Sequence, residues 1–357
     1  MFYPQSIEEI QRVVVESHAP MVVRGGGTKP GLLNHNDSVT TIDLSDVSGI
    51  LEYRPEECTF TALAGTRLND IEEVLSDNDQ WMPFDPPMVD KGSTLGGVLA
   101  AGLSGPCRYG FGGVRDFVLG ISWVSGDGNL LNGGGRVVKN VAGFDFPKLM
   151  VGSLGRFGII TEITMKVFPQ SQAFATLEWD CLNIEEAVKF MKLLSLSKIE
   201  FLALDIESNG IVRVRIGGIQ NSLQKRLDSI ARYKNGAVIF KDREESEKWS
   251  SLRNFCWLDD SCMLIKVPIT PDIVCRLDSK LSHYEPLRLY SVGGNVAWIG
   301  WMDSIVKLDK ILENLGLTGL LLLGEYNTPW LGTSAFDNVF AAKVKAALDP
   351  KNRFMSL

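Results

Sequence analysis

The sequence predicts an α+β fold in two parts: a glycine-rich domain over residues 1–170 and an antiparallel α+β cap domain over 171–325, followed by a closing segment, 326–357. Three observations predict it. At 357 residues the chain exceeds one ordinary core and suits a large domain plus a smaller one. Its 35 glycines concentrate between Gly25 and Gly158 rather than spreading evenly. After Pro169 the glycines thin out, and strand and helix patterns alternate as in an antiparallel sheet backed by helices.

Composition narrows the class. An apolar share of 45% and a charged share of 22% are globular values, and no run is long or apolar enough to span a bilayer. The opening MFYPQSIEEI lacks a basic segment followed by an apolar run, so the expected compartment is the cytosol, with any contact to the inner membrane made through partners. A net charge of −7 gives no cationic footprint for nucleic acid. The cysteines Cys58, Cys107, Cys181, Cys256, Cys262 and Cys275 form no CxxC pair and no ferredoxin-like spacing, so they read as buried free thiols and no metal site is expected.

The first domain divides into units at 1–80 and 81–170. Ser6 to Ser17 carries Ile7, Ile10, Val13 and Val14 on one helical face, with Ser6 and Glu9 spaced as a capping box. Met21-Val22-Val23 reads as a buried strand ending in Arg24-Gly25-Gly26-Gly27-Thr28-Lys29-Pro30-Gly31. A strand near Val39 to Leu44, short strands through Leu51 to Ala64 and a helix from Arg67 to Leu75 complete the unit. The second unit opens with a proline-rich stretch and Gly92-Ser93-Thr94-Leu95-Gly96-Gly97. Strands follow at Val118 to Val124 and Ile159 to Val167, and the intervening Gly126-Asp127-Gly128-Asn129 reads as a hairpin turn. In the cap, strands are expected at Phe174 to Trp179, Phe201 to Ile206, Ile211 to Ile216, Ala237 to Phe240, Met263 to Val267, Arg288 to Ser291, Val296 to Trp301 and Leu320 to Leu323. Helices are expected at Ile184 to Leu194, Gln220 to Tyr233, Glu244 to Asn254, Asp272 to Ser282 and Ser304 to Leu315.

A backbone amide reaches a phosphate only where the chain approaches closely, and successive amides point to one side when some residues take positive φ. Glycine permits both. The segments Arg24 to Gly31 and Gly92 to Gly97 therefore read either as ordinary tight turns or as two anion-cradling loops, and their pairing with Gly152, Gly155 and Gly158 favours the cradle. The dinucleotide fingerprint GxGxxG fails at Pro30, and no GxxxxGK[ST] occurs, which disfavours a Rossmann NAD site and a P-loop ATPase.

The series PQSIEEIQRVV, VVRGGGTKPG, GSTLGGVLAAGLSGPCRYGFGGVRDFVLG and GGRVVKNVAGFDFPKLMVGSLGRFGIITEITMKVFP resembles the FAD-binding domain of the vanillyl-alcohol oxidase and p-cresol methylhydroxylase type. Within that type it is most similar to the FAD-binding E subunits of bacterial glycolate oxidases. The resemblance implies the two-unit FAD-binding fold of that family and an FAD held without a covalent bond, since covalent relatives usually place His in the first glycine loop. It implies that Gly25, Gly26, Gly27 and Thr28 hold the FAD pyrophosphate through their amides. Ser93, Thr94, Gly96 and Gly97 would grip it from the second unit, and Gly102, Gly105 and Gly110 would line the cofactor channel. Gly158, Ile159 and Ile160 would touch the flavin or adenosine part from a strand.

Oxidation of a 2-hydroxy acid needs a hydride acceptor, a base for the hydroxyl proton and a cation for the carboxylate. His18, His35 and His283 all read as surface residues. Relatives that oxidise D-lactate or glycolate carry an HxGDGNxH-type motif late in the chain. Here GDGN occurs only at Gly126 to Asn129, with Val124 and Leu131 in the histidine positions. Three weaker catalytic candidates remain. Lys266 stands where the family commonly has Arg and reads either as facing the flavin or as a solvated strand-edge lysine. Lys139 matches, with Asn140, the family's KN pair and reads either as contacting the flavin or as ordering a loop. Glu325 closes the strand Leu320 to Leu323 and reads as buried near the cap or as the start of a polar loop. The segment Trp298 to Trp301 reads as cap core. The tail Asp349-Pro350-Lys351-Asn352-Arg353-Phe354 follows the family's DP-x-x-x-F pattern but lacks its NPG ending.

The expected role is the FAD-binding subunit of a glycolate oxidase-like complex, acting on a small 2-hydroxy acid beside a paralogous FAD-binding catalytic subunit and an iron-sulfur subunit that accepts electrons. The alternatives are a self-sufficient FAD-dependent 2-hydroxy-acid dehydrogenase and a non-catalytic assembly subunit that uses FAD structurally.

Overall fold

A computed structural model describes residues 1–33, 39–135, 144–332 and 339–355. The opening helix, Ile7–Glu16, starts at Ser6, whose hydroxyl accepts from the Glu9 amide. The return bond of the box goes one residue further back, from the Gln5 amide to the Glu9 carboxylate. Ile10 and Val14 are the fully buried positions of this helix.

Strand Met21–Arg24 pairs in parallel with Thr40–Asp43. A five-stranded antiparallel sheet follows, in spatial order Ile50–Arg54, Thr59–Leu63, Ile159–Lys166, Val118–Val124 and Leu130–Gly134. Its last two strands are joined by the turn at Gly126 to Asn129, where the Ser125 amide donates to Asn129 and Gly128 takes φ +80°. A seven-residue helix, Leu95–Ala101, lies in the stretch that the sequence suggested only as small residues. Thr94 caps its start and Gly102, at φ +62°, ends it.

The cap is one nine-stranded antiparallel sheet. Its strands alternate between two cores, as period-2 side-chain placement requires. Ile265, Val267, Ile299, Trp301 and Leu321 face the cap helices, while Leu264, Trp298, Leu320 and Leu322 pack into the core of the first domain. Trp298 and Trp301 thus serve different cores. The sheet is the partition between the two parts of the molecule.

Polar latches cross the junction as well. Arg253, from the cap helix Asp242–Arg253, grips both carboxylate oxygens of Glu72 at 2.8 and 3.0 Å. The chain end returns to the first strand: Met21 donates to Arg353, Met355 donates to Met21, and Phe354 is fully buried. Asp349 fixes that return by accepting from the amides of Arg353 and Phe354. No helix among the described residues is long and apolar enough to cross a membrane.

Candidate functional site

The parallel strand Met21–Arg24 delivers the first glycine loop into a cleft. A Cβ on Gly25 would stand 2.2 Å from the Thr94 hydroxyl oxygen, and one on Gly26 would stand 2.0 Å from the Gly92 carbonyl oxygen. Only glycine lets the two loops interlock so closely. Gly27 takes φ +65°. Among the described residues, none of the amides of Gly25, Gly26, Gly27, Thr28 and Lys29 donates to another protein group. Five consecutive unspent donors demand solvent or a ligand.

The second loop does a different job from the one expected. The Gly96 amide is spent on the Ala64 carbonyl, and the Gly97 amide on the Thr94 hydroxyl. The expectation that these glycines grip an anion through their amides is therefore corrected: they offer close approach and no free donor. Ser93 lies behind the cleft wall, where its hydroxyl meets Thr28 Oγ1 at 3.0 Å and the Lys29 ammonium at 2.9 Å.

The cleft encloses about 790 Å³ of empty space, its open mouth included, which falls within the roughly 300–1,000 Å³ of small-molecule sites. Gly25, Gly26, Gly27, Thr28, Thr94, Gly96, Gly97, Gly158 and Ile160 all line it. Ile159 points to the opposite face of its strand and is fully buried in the core. Gly105 and Gly110 do not line it. A Cβ on Gly105 would strike the Asp85 carbonyl, and Gly110 donates its amide to Leu202 of the cap, so both serve packing.

A second cavity, of about 930 Å³ with its opening, adjoins the first through the shared residues Ala101 and Leu154. It lies between the domains, with Gly102, Arg108, Arg115 and Asp116 on one side and Lys266, Leu320 and Trp330 on the other. Lys266 sits in a strand flanked by Val296–Trp301 and Gly319–Leu323, so the strand-edge reading gives way to a buried one. Its ammonium donates to the Gly102 carbonyl at 3.2 Å. Burial, with Arg108 nearby, lowers its pKa to about 8. Among the described residues, Asp116 is the sole acid in this lining, and it accepts from the Gly113 amide at 2.9 Å.

The remaining candidates separate. Glu325 is exposed and lines neither cavity, which removes it from the site. His18 and His283 line neither cavity. Lys139, Asn140 and His35 lie outside the described residues. Cys107 is fully buried, with its Sγ 3.5 Å from an Arg215 nitrogen, and burial pushes its thiol pKa up. Among the described residues no cluster of His, Cys, Asp or Glu is placed to hold a metal ion.

Sequence reasoning missed Lys29, Arg108 and Arg115. Lys29 stood inside the quoted glycine motif, but nothing in a sequence says that a lysine will be 8% exposed with two neutral hydroxyls for partners. The signal for Lys266 was present as strand parity, since it shares a face with Leu264.

An amide-lined cleft that runs into an interdomain cavity defines the chain as an FAD-binding flavoprotein. Residues 1–134 match the FAD binding domain family. The chain is 33% identical over 315 residues to the glycolate oxidase subunit GlcE of Escherichia coli, spanning 88% of this chain and 85% of that protein, and it belongs to this family of FAD-dependent oxidoreductases. It is also 30% identical to the glycolate oxidase subunit GlcD of Bacillus subtilis, over 55% of this chain and 42% of that one. The mitochondrial D-lactate dehydrogenase [cytochrome] 1 of Saccharomyces cerevisiae is 25% identical, over 72% and 49% respectively. In fold, a solved alkyldihydroxyacetonephosphate synthase superposes with a TM-score of 0.72 at 17% identity, covering 99% of this chain and 76% of that one.

Proposed function

We propose that the chain is the FAD-carrying subunit of a glycolate oxidase-like complex, which oxidises a small 2-hydroxy acid and passes the electrons to an iron-sulfur partner. The observation that carries the reading is the run of five open amides from Gly25 to Lys29 in a cleft that continues into a cation-lined cavity. When bound, FAD supplies the two-electron acceptor. In this reading the Gly25–Lys29 amides hold the pyrophosphate, and Gly96, Gly97 and Gly158 let the cofactor lie close against the backbone. The cap sheet forms one wall of the interdomain cavity through Lys266 and Leu320.

Among the described residues, Arg108, Arg115 and Lys266 give that cavity three cationic side chains against one acid, which favours a carboxylate. A base for the hydroxyl proton is not evident among its described residues: Asp116 is engaged in holding a loop, and no histidine lines the cavity. The chain thus binds and positions, and turnover falls to the assembled complex with a GlcD-like subunit. The test is to purify the chain with and without such partners and record the visible spectrum during glycolate and D-lactate titration. Flavin bleaching in the assembly but not in the lone chain supports the reading. Equal bleaching in both would support a self-sufficient dehydrogenase instead.

A further inference from the structure

Among the described residues, the Lys29 charge has no counter-ion. It is 8% exposed, and its ammonium donates to Thr28 Oγ1 at 2.7 Å and to Ser93 Oγ at 2.9 Å, both neutral hydroxyls. An ammonium has three donors, so one remains beyond these two. Among the described residues, the cleft lining holds two cations, Arg24 and Lys29, and no Asp or Glu. Arg24 is already paired, with its Nε 3.4 Å from Asp43. A buried charge without an opposite partner is costly to the folded protein. Such a charge is retained at a site where an anion arrives.

We propose that the Lys29 ammonium is the counter-charge for the FAD pyrophosphate, held in position by the Thr28 and Ser93 hydroxyls. This rests on placing the pyrophosphate against the Gly25–Lys29 amides. The arrangement joins a point charge to the amide cradle, and Lys29 contributes its own open amide to that cradle as well. It also gives the second loop its function: Ser93, from behind the wall, aims the lysine.

The competing role is a tether, in which Lys29 merely ties the two loops together. The two roles differ in sign for the cofactor-free protein. A tether stabilises it, whereas an uncompensated charge destabilises it until the anion binds. They also differ with pH. Among the described residues, the charged groups on the segments that meet at Lys29 are Arg24 of its own loop, Asp43 of the adjacent strand and the exposed Arg67 beside Gly92. Neither the helix Leu95–Ala101 nor the strand Gly319–Leu323 contributes a titratable side chain. Burial lowers the Lys29 pKa to about 8, and a bound dianion would raise it again. Affinity for FAD should therefore fall as pH rises past about 8.

The experiment uses the full chain stripped of flavin, as wild type, Lys29→Met and Lys29→Arg. FAD dissociation constants are measured by fluorescence quenching from about pH 7 to about pH 9.5, bracketing the lysine's titration, and urea unfolding of each cofactor-free protein is followed in parallel. Expected at neutral pH is a Kd on the order of 10–100-fold weaker for Lys29→Met, with Lys29→Arg within a few-fold of wild type. The wild-type Kd should weaken as pH rises, the Lys29→Met value should stay flat, and cofactor-free Lys29→Met should be at least as stable as wild type. A Lys29→Met protein that binds FAD as wild type does, keeps the wild-type pH slope, or is less stable without cofactor would overturn the proposal. Failure of the underlying placement is read separately: full FAD content in Gly26→Val would move the pyrophosphate away from this loop.

Discussion

The Lys266 ammonium, on the central cap sheet, donates across the domain junction to the carbonyl of Gly102 at 3.2 Å. Gly102 ends the helix that walls the FAD cleft, so this bond fixes a buried cation where cleft and cavity meet. Strand parity puts it there: Leu264 and Lys266 share the face toward the first domain, and the cross-strand neighbours on that face are Trp298 and Leu320.

Lys266→Met should weaken binding of an anionic substrate analogue such as oxalate by at least about tenfold, the scale of one lost charged hydrogen bond. FAD content should stay unchanged. The readout is perturbation of the flavin spectrum by oxalate. The wild-type lysine has its folded pKa depressed from 10.5 to about 8, so its burial penalty is fully present below about pH 8 and is relieved as pH rises toward the unfolded value. Urea titrations of wild type and Lys266→Met should therefore converge over that window, with the variant the more stable at neutral pH.

Gly26→Val should remove FAD while leaving the cap folded. Its first carbon would stand 2.0 Å from the Gly92 carbonyl oxygen, so the loops must part and the amide cradle with them. Loss of two charged hydrogen bonds at roughly 1.5–3 kcal/mol each weakens binding at least about a hundredfold. Flavin absorbance per protein and far-UV circular dichroism measure the two halves of this expectation.

Part of this architecture is legible in the sequence. The glycine loops, the cap strands and the capped first helix were legible because each rests on local periodicity or backbone freedom. The helix Leu95–Ala101 was not, because Gly96 and Gly97 have poor helix propensity, and the start of the helix is held by tertiary contact of Gly96 with Ala64 and by the Thr94 cap on Gly97. The partner of each amide was equally hidden: Gly26 and Gly96 look alike in sequence, yet the first offers its donor and the second has spent it. Lys29, Arg108 and Arg115 gain their meaning only from burial or from a shared cavity, which arise from distant parts of the chain.

Glu245→Ala should be among the most destabilising single changes. Glu245 is 1% exposed and pairs with the buried Arg215 at 2.8 Å, while that guanidinium also reaches Cys107 of the first domain and stacks on Phe174 at 4.5 Å. Removing the acid strands a buried cation, at a cost of about 3–5 kcal/mol. Equilibrium urea unfolding is the measurement, and Arg215→Met introduced in the Glu245→Ala background should recover part of the loss.

Acid precipitation should release the flavin into the supernatant. The first glycine loop contains no histidine, and Cys107 is fully buried against Arg215. Colour retained in the washed pellet would show a covalent bond.

The central claim is that this chain holds FAD but, among its described residues, shows no complete proton-accepting site of its own. Loss of a positioned base forfeits a factor of about 10²–10⁴. The most direct measurement is anaerobic stopped flow, following flavin absorbance after mixing the isolated FAD-loaded chain with millimolar glycolate or D-lactate. The account predicts reduction far slower than ordinary turnover, and acceleration when a GlcD-like subunit is added. Flavin reduction by the lone chain at ordinary turnover rates, on the order of 1–10³ per second, would contradict it and place a complete active site within these 357 residues.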